Sequence, residues 1–209
     1  MLNPTAAILI IGDEILSGRT RDSNMHYLSC ELTKIGIDLQ EARFIPDNAA
    51  KIIDDVRCLS SKYDYVFTSG GIGPTHDDIT ADCIAAAFET EISIREDAFK
   101  LLENYYSGQN IDFNSARQRM ARIPNGAKLI DNPISVAPGF YLNNVFVMAG
   151  VPNIFQSMVQ SILPLLLNGK PVLSKSLRIP RGEGEIAVEL KKIASDHKNV
   201  SIGLSLIHI

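Results

Sequence analysis

The chain is short of basic charge: 20 lysines and arginines stand against 24 acids, a formal net charge of −4. Nucleic-acid binding by a basic surface is therefore not expected, because that mode needs clustered positive charge. Even "RIPRGEGEIAVELKK" mixes its cations with acids. Long apolar runs are missing too. "TAAILIIG" has strand length and "SILPLLLNGK" is broken by Pro164, so no stretch is expected to span a membrane. The N-terminus lacks the basic start and cleavage-site layout of a signal peptide. Cysteine is scarce: Cys30, Cys58 and Cys83 are far apart and form no CxxC pair, which argues against zinc and disulfides. Each lies in a helical pattern and is expected to be a reduced, buried thiol in a cytoplasmic protein. His26 and His197 have no spaced partners, and His76 reads as a polar loop residue. There is no internal repeat and no low-complexity linker.

At 45% hydrophobic residues, the 209-residue chain can bury the core of one α/β domain with a small appendage. "TAAILIIG" (5–12) predicts a strand buried on both faces. Residues 23–36 predict a helix capped by Ser23 or Asp22 and stopped by Gly36. A strand at 37–45, an amphipathic helix at 49–62 and an apolar strand at 63–70 follow. This β-α-β-α-β order implies a parallel sheet with right-handed crossovers. Further helices are expected at 78–89, in "REDAFKLLENYYS" and in "NSARQRMARI". Residues 139–150 predict a hairpin turning at Asn143-Asn144, and 152–169 a helix bent at Pro164. The last forty residues read as strand, helix, strand. The predicted domains are thus 1–170 and an appendage at 171–209 that stops inside an apolar run.

Chemistry is expected in the loops after the strands, because ligands of open parallel sheets bind at the carboxyl ends of strands near a reversal of strand order. Three loops qualify: "GDEILSG" (12–18), "SGGIGPTHDDIT" (69–80) and "AGVP" (149–152). In the second, Gly70, Gly71 and Gly73 allow close backbone approach to a ligand. A helix starting near Asp77 or Asp78 would aim free N–H groups at an anion such as phosphate. Either aspartate is also a natural helix cap. Two adjacent acids exceed what one cap requires, and Asp13 and Glu14 add carboxylates at another strand end. Asp13, Glu14, Asp77 and Asp78 are therefore candidate ligands for a divalent metal that would bridge to phosphate oxygens.

The stretches "GDEILSG", "SGGIGPTHDDIT", "IPNGAKLIDNP" (123–133) and "APGF" (137–140) resemble, in order and spacing, the MoaB/Mog-type molybdopterin-binding domain family. The form "GDEIL … GGxGPTxDDxT" is most similar to the branch of the N-terminal domain of competence/damage-inducible protein CinA. The N-terminal domain of eukaryotic FAD synthases is a relative. The resemblance covers about residues 5–170. It implies a three-layer α/β/α MogA-like fold with a mostly parallel sheet, plus a small C-terminal α+β appendage and a homo-oligomer, dimer or trimer. The implied ligand is a nucleotide or pterin such as molybdopterin, and the implied cofactor is magnesium or a transition metal such as cobalt or manganese. The carried-over catalytic residues are Asp13 and Asp78. Gly12, Ser69, Gly70, Gly71, Gly73, Pro74, Thr75, Thr80, Pro138 and Gly139 are the implied ligand contacts. For this branch the implied activity is metal-dependent cleavage of ADP-ribose- or FAD-type pyrophosphates. A non-catalytic pterin or nucleotide binding module and a molybdopterin adenylyltransferase are the alternatives. The third loop departs from the branch pattern, with Ala149 in place of a proline and Ile154 in place of a glutamate.

Overall fold

The computed structural model describes residues 3–204. The chain divides into two compact units, Met1–Val172 and Leu173–Ile209. In the first unit, β1 (Thr5–Ile11), α1 (Asp13–Leu16), α2 (Asn24–Lys34), β2 (Asp38–Ile45), α3 (Ala49–Lys62) and β3 (Tyr65–Ser69) follow the predicted alternation. They continue into α4 (Thr80–Ala87), β4 (Ile92–Ile94), α5 (Glu96–Gly108) and α6 (Ser115–Gln118). β5 (Arg122–Pro124), β6 (Lys128–Ile130), β7 (Gly139–Leu142), β8 (Val145–Met148) and α7 (Pro152–Ile162) complete the unit.

The main sheet has the order β2-β1-β3-β8-β7-β6. β2, β1, β3 and β8 are parallel, and β7 runs antiparallel between β8 and β6. The uninterrupted apolar run of β1 follows from its central place. Ala7, Leu9 and Ile11 enter one core with residues of α3, α4 and α5. The alternate residues Ala6, Ile8 and Ile10 enter a second core with α2 and α7. A strand with period-two side chains needs apolar residues at every position when both faces are covered. The result is the three-layer α/β/α arrangement.

Local chemistry sets the element ends. The Asn48 side chain caps α3 by accepting from Lys51 N at 3.0 Å. Asp22, rather than Ser23, caps α2, accepting from the backbone N–H groups of Asn24 and Met25 at 3.2 Å each. The β7–β8 hairpin turns at Asn143, which adopts φ 53°. The neighbouring Asn144 amide donates to the carbonyls of Ser60 and Tyr63 at 2.9 Å each, tying that turn to the end of α3. At the other end of the unit, Asn3 and the Lys170 backbone exchange two hydrogen bonds of 3.1 and 2.9 Å.

Several expectations are corrected. The helix expected at 114–123 keeps one turn of α6, passes through a 3-10 turn at 119–121 and ends as β5. β5 pairs antiparallel with β4 in a separate two-stranded sheet, and this long-range pairing overrides local helical spacing. Pro164 ends α7 in a 3-10 turn instead of bending a longer helix. Cys30 and Cys58 are exposed on their helices, and only Cys83 is buried, where desolvation pushes its thiol up to about 11. In the second unit α8 spans Glu183–Asp196. The strand expected at 172–180 is not formed, and residues 200–204 carry no strand either. Residues 205–209 of the expected last strand lie outside the described residues.

Candidate functional site

The chain passes from β1 to β2 on one side and then returns to β3 on the other, so strand order reverses at β1. The loops leaving β1 and β3 therefore sit side by side at the carboxyl edge of the sheet. Gly70 adopts φ +110°, and a Cβ there would overlap the Ile11 carbonyl oxygen. Gly71, at φ +71°, is pressed in the same way against the Thr80 hydroxyl. A Cβ on Gly150, in the loop after β8, would lie 3.3 Å from the Gly70 Cα. All three loops singled out in the sequence thus meet around Gly70.

The glycine loop is held by its own side chains. Thr80 is fully buried, its Oγ donates to the Gly70 carbonyl at 3.0 Å, and its N–H donates to the Gly71 carbonyl at 2.9 Å. Its hydroxyl shapes the loop from beneath instead of facing the cleft. Asp78 Oδ2 accepts from Thr75 N at 2.8 Å and from Thr75 Oγ at 2.6 Å. Thr75 Oγ also lies 2.5 Å from Asp77 Oδ1, and this bond holds the Asp77 carboxyl below the usual carboxylate range. Neither aspartate caps α4, which starts at Thr80 without a side-chain cap. His76 is almost fully exposed, 3.9 Å from Asp77.

A cleft of about 350 Å³, partly open to solvent, lies on one side of this loop. Gly71, Gly73, Asp78 and Pro138 line it, together with Asp82, Arg119 and Arg122. The two arginines were not among the sequence candidates, because they stand in a segment whose spacing reads as an ordinary helix. The 3-10 turn and β5 place them beside the loop. Arg119 donates to the Asp78 carbonyl at 3.4 Å, and Arg122 pairs with Asp82. Arg122 Nε is buried without a partner. Two guanidinium groups beside a glycine loop and the start of a helix make this cleft suited to phosphate. Gly139 lies in β7, where a Cβ would meet the Val147 carbonyl oxygen at 2.5 Å. It serves close packing of the sheet, and the structure does not bring it into the cleft.

Acids gather on the other side of the loop. Asp47, directly after β2, accepts from Asp13 N at 3.0 Å. Burial raises its carboxyl above the usual range, and the charges of Asp13, Glu14 and Asp77 raise it further. Asp47 was missed in the sequence because "FIPDN" reads as a turn. Only the β1–β2 pairing carries it to Asp13. The expected four-carboxylate set is thus rearranged: Asp13, Glu14 and Asp77 share a field with Asp47, while Asp78 is turned into its own loop. Among the described residues, no group of three or more His, Cys, Asp or Glu converges as a ready metal cage. Ala149 and Ile154, the departures in the third loop, are partly buried against the α2–α7 core.

The chain is thus a three-layer α/β domain with a glycine loop at its strand-order reversal, flanked by arginines and carboxylates. The chain belongs to the family described as "Probable molybdopterin binding domain", whose pattern matches residues 7–168. It is 31% identical over 196 residues to an Archaeoglobus fulgidus protein, covering 94% of this chain and 83% of that one. It is 36% identical over 172 residues to a Metallosphaera sedula protein, covering 80% of this chain but 65% of the relative. Among solved structures it is similar to the protein CinA from Thermoplasma acidophilum, with TM-score 0.70 and 29% identity over 76% of this chain and 96% of that one. The molybdopterin biosynthesis enzyme MoaB from Thermus thermophilus shares the fold, with TM-score 0.52 and 15% identity over 78% of this chain and 91% of that one. Among the described residues, no helix is long and apolar enough to cross a membrane.

Proposed function

We propose that this domain binds a nucleotide or pterin through its phosphate groups and cleaves the pyrophosphate link of an ADP-containing ligand. The observation that carries the reading is the asymmetry of the glycine loop. Arg119 and Arg122 stand on one side, and the carboxylates of Asp13, Glu14, Asp47 and Asp77 on the other. The arginines and the backbone of Gly71 and Gly73 would hold the non-bridging oxygens of a diphosphate. Water would attack one phosphorus as the bridging P–O bond breaks, and the leaving phosphate keeps the electron pair. Asp47, with its raised proton affinity, would accept the proton lost by the attacking water.

The acidic side offers the donor type that a hard divalent cation takes, and among the described residues its carboxylates do not converge as a ready cage. Its donors are all carboxylate oxygens, and their mutual repulsion is what a cation relieves. Asp13, Glu14 and Asp77 would hold it, and when bound it would neutralise charge developing on the phosphate. Asp78 contributes by fixing Thr75 and hence the loop.

A second reading is adenylyl transfer to a pterin, supported by the molybdopterin-binding description of the family. The same cleft would then hold ATP, and a pterin phosphate oxygen would replace water as nucleophile on the α-phosphorus while the bond to the β-phosphate breaks and pyrophosphate leaves with the electron pair. AMP release is measured from ADP-ribose and FAD, with and without magnesium or manganese, alongside ATP consumption with and without molybdopterin. Metal-dependent AMP release supports hydrolysis. Pterin-dependent consumption of ATP supports transfer. Binding without turnover of either kind refutes both and leaves a binding module.

A further inference from the structure

α2 lays Met25, Leu28 and Leu32 against the core it shares with α7. The opposite side of the helix faces solvent and carries His26 and Cys30, both exposed. Four residues apart, they stand one turn above the other on one face. His26 Nε2 lies 3.8 Å from Cys30 Sγ. His26, expected to stand without a partner, is thus paired by the helix with a thiol. A tetrahedral zinc ion, with bonds of about 2.3 Å to sulfur and about 2.0 Å to nitrogen, holds two such donors about 3.5 Å apart. A small rotation of two exposed side chains closes that difference. The neighbouring polar groups are engaged elsewhere. Thr33 turns its hydroxyl back to the Ser29 carbonyl at 2.8 Å, and Lys34 is tied to Glu31 at 2.6 Å. Thiolate with imidazole is the donor set of a borderline-soft ion, unlike the carboxylate oxygens beside the glycine loop.

Two donors are half of what zinc takes in a closed site. Among the described residues, no third His, Cys, Asp or Glu joins the pair. We propose that His26 and Cys30 form half of a metal site for a divalent ion of the zinc class, and that the same pair on a second copy of this chain supplies the other half. A two-fold axis passing beside α2, midway between the two residues, sets the two helices antiparallel and brings both pairs round one ion. The ion then has two imidazole and two thiolate ligands, and it holds two chains together. The helix face permits the approach. Ser29 and Thr33 beside the pair are small and uncharged, and the distance between packed helices depends on the size of the side chains at the contact. Each thiol releases its proton to solvent as its sulfur takes the metal, so the association tightens as pH rises.

Cobalt(II) reports such a site by colour, because thiolate ligation gives an intense near-ultraviolet charge-transfer band that carboxylate ligation does not. It is titrated into the full chain, kept reduced with a phosphine and held in excess magnesium, which competes for the carboxylates beside the glycine loop. The band is expected to appear and to saturate at one cobalt for two chains. Cys30→Ser is expected to abolish it, and Cys58→Ser, at the other exposed thiol, to leave it. His26→Ala should weaken cobalt binding by more than the roughly tenfold that loss of a ligand's supporting group costs. In analytical ultracentrifugation, zinc is expected to double the mass of the EDTA-treated wild type and to leave the mass of Cys30→Ser unchanged. Absence of the band, its survival in Cys30→Ser, saturation at one cobalt per chain, or a wild-type mass unmoved by zinc would each overturn the proposal. Both side chains are exposed, so the substitutions leave the core packing untouched.

Discussion

Replacing Thr80 by valine tests whether this residue builds the glycine loop or touches the ligand. Valine matches threonine in shape and leaves no cavity, so the change isolates one hydroxyl. In the structure that hydroxyl is fully buried and donates to the Gly70 carbonyl at 3.0 Å. Leaving a buried carbonyl without its donor costs about 1–3 kcal/mol. The added buried methyl offsets this by under about 1 kcal/mol. The net expectation is a loss of about 1–2 kcal/mol in urea unfolding, or a fall in Tm of about 2–8 °C for a domain of this size. The freed carbonyl also lets Gly70 relax from φ +110°, so pyrophosphate affinity should drop together with stability. Thr80→Ser keeps the hydroxyl and should restore binding. A Thr80→Val protein as stable as the wild type that still lost pyrophosphate binding would refute the argument. It would show that the hydroxyl is a ligand contact, as the family resemblance implies.

Asp78→Asn keeps an oxygen to accept from Thr75 but removes the charge. Turnover of the best pyrophosphate substrate is expected to fall at least tenfold, equivalent to about 1.4 kcal/mol of transition-state stabilisation, with little change in Tm. Unchanged turnover with lower stability would show that the Asp78 charge is not needed to hold the loop in its working shape. Asp47 has its folded pKa raised by burial, so the folded state holds its proton more tightly than the unfolded chain. That contribution to stability is present below the unfolded carboxylate value and is lost as pH rises through the folded one. Asp47→Asn is therefore expected to raise Tm at pH 7 and to flatten the fall in Tm as pH rises above the ordinary carboxylate range, while abolishing turnover. A lower Tm at pH 7 would contradict the electrostatic argument. Glu41 shows the opposite sign. Hydrogen bonds from Lys62, Tyr63 and Arg43 bring its carboxyl down to about 2. Its stabilisation is complete above the ordinary carboxylate range and is lost as pH falls through about 2. Glu41→Gln should lower Tm at pH 6 more than at pH 2.5, and equal losses at both would exclude the ionic contribution.

The alternating halves of the fold were legible in the sequence because their signals are local. "AAILII" is apolar at every position because β1 is covered on both faces. α3 begins and ends as its pattern predicts, and Asn143 takes the positive φ that hairpin turns require. The glycine loop was legible for the same reason: glycine and adjacent acids mark a turn whatever surrounds it. Residues that matter only through distant partners gave no such signal. β4 and β5 are three-residue strands that exist by pairing with each other across α5 and α6, and their pairing delivers Arg119 and Arg122 to the cleft. Asp47 looks like any turn aspartate until β2 lies beside β1 and carries it to Asp13. Asn24 looks like any first residue of a helix until α2 meets the ends of β3 and β8, where its buried amide donates to Ser69 and to the Gly150 carbonyl. Thr80 follows the acids in the motif as a ligand group would, yet packing turns its hydroxyl inward. Backbone conformation and face-to-face burial follow from side chains within a few residues of one another, and the sequence by itself determined them. Which charged or amide group ends beside which depends on strand order and helix packing, and only the tertiary structure decided that.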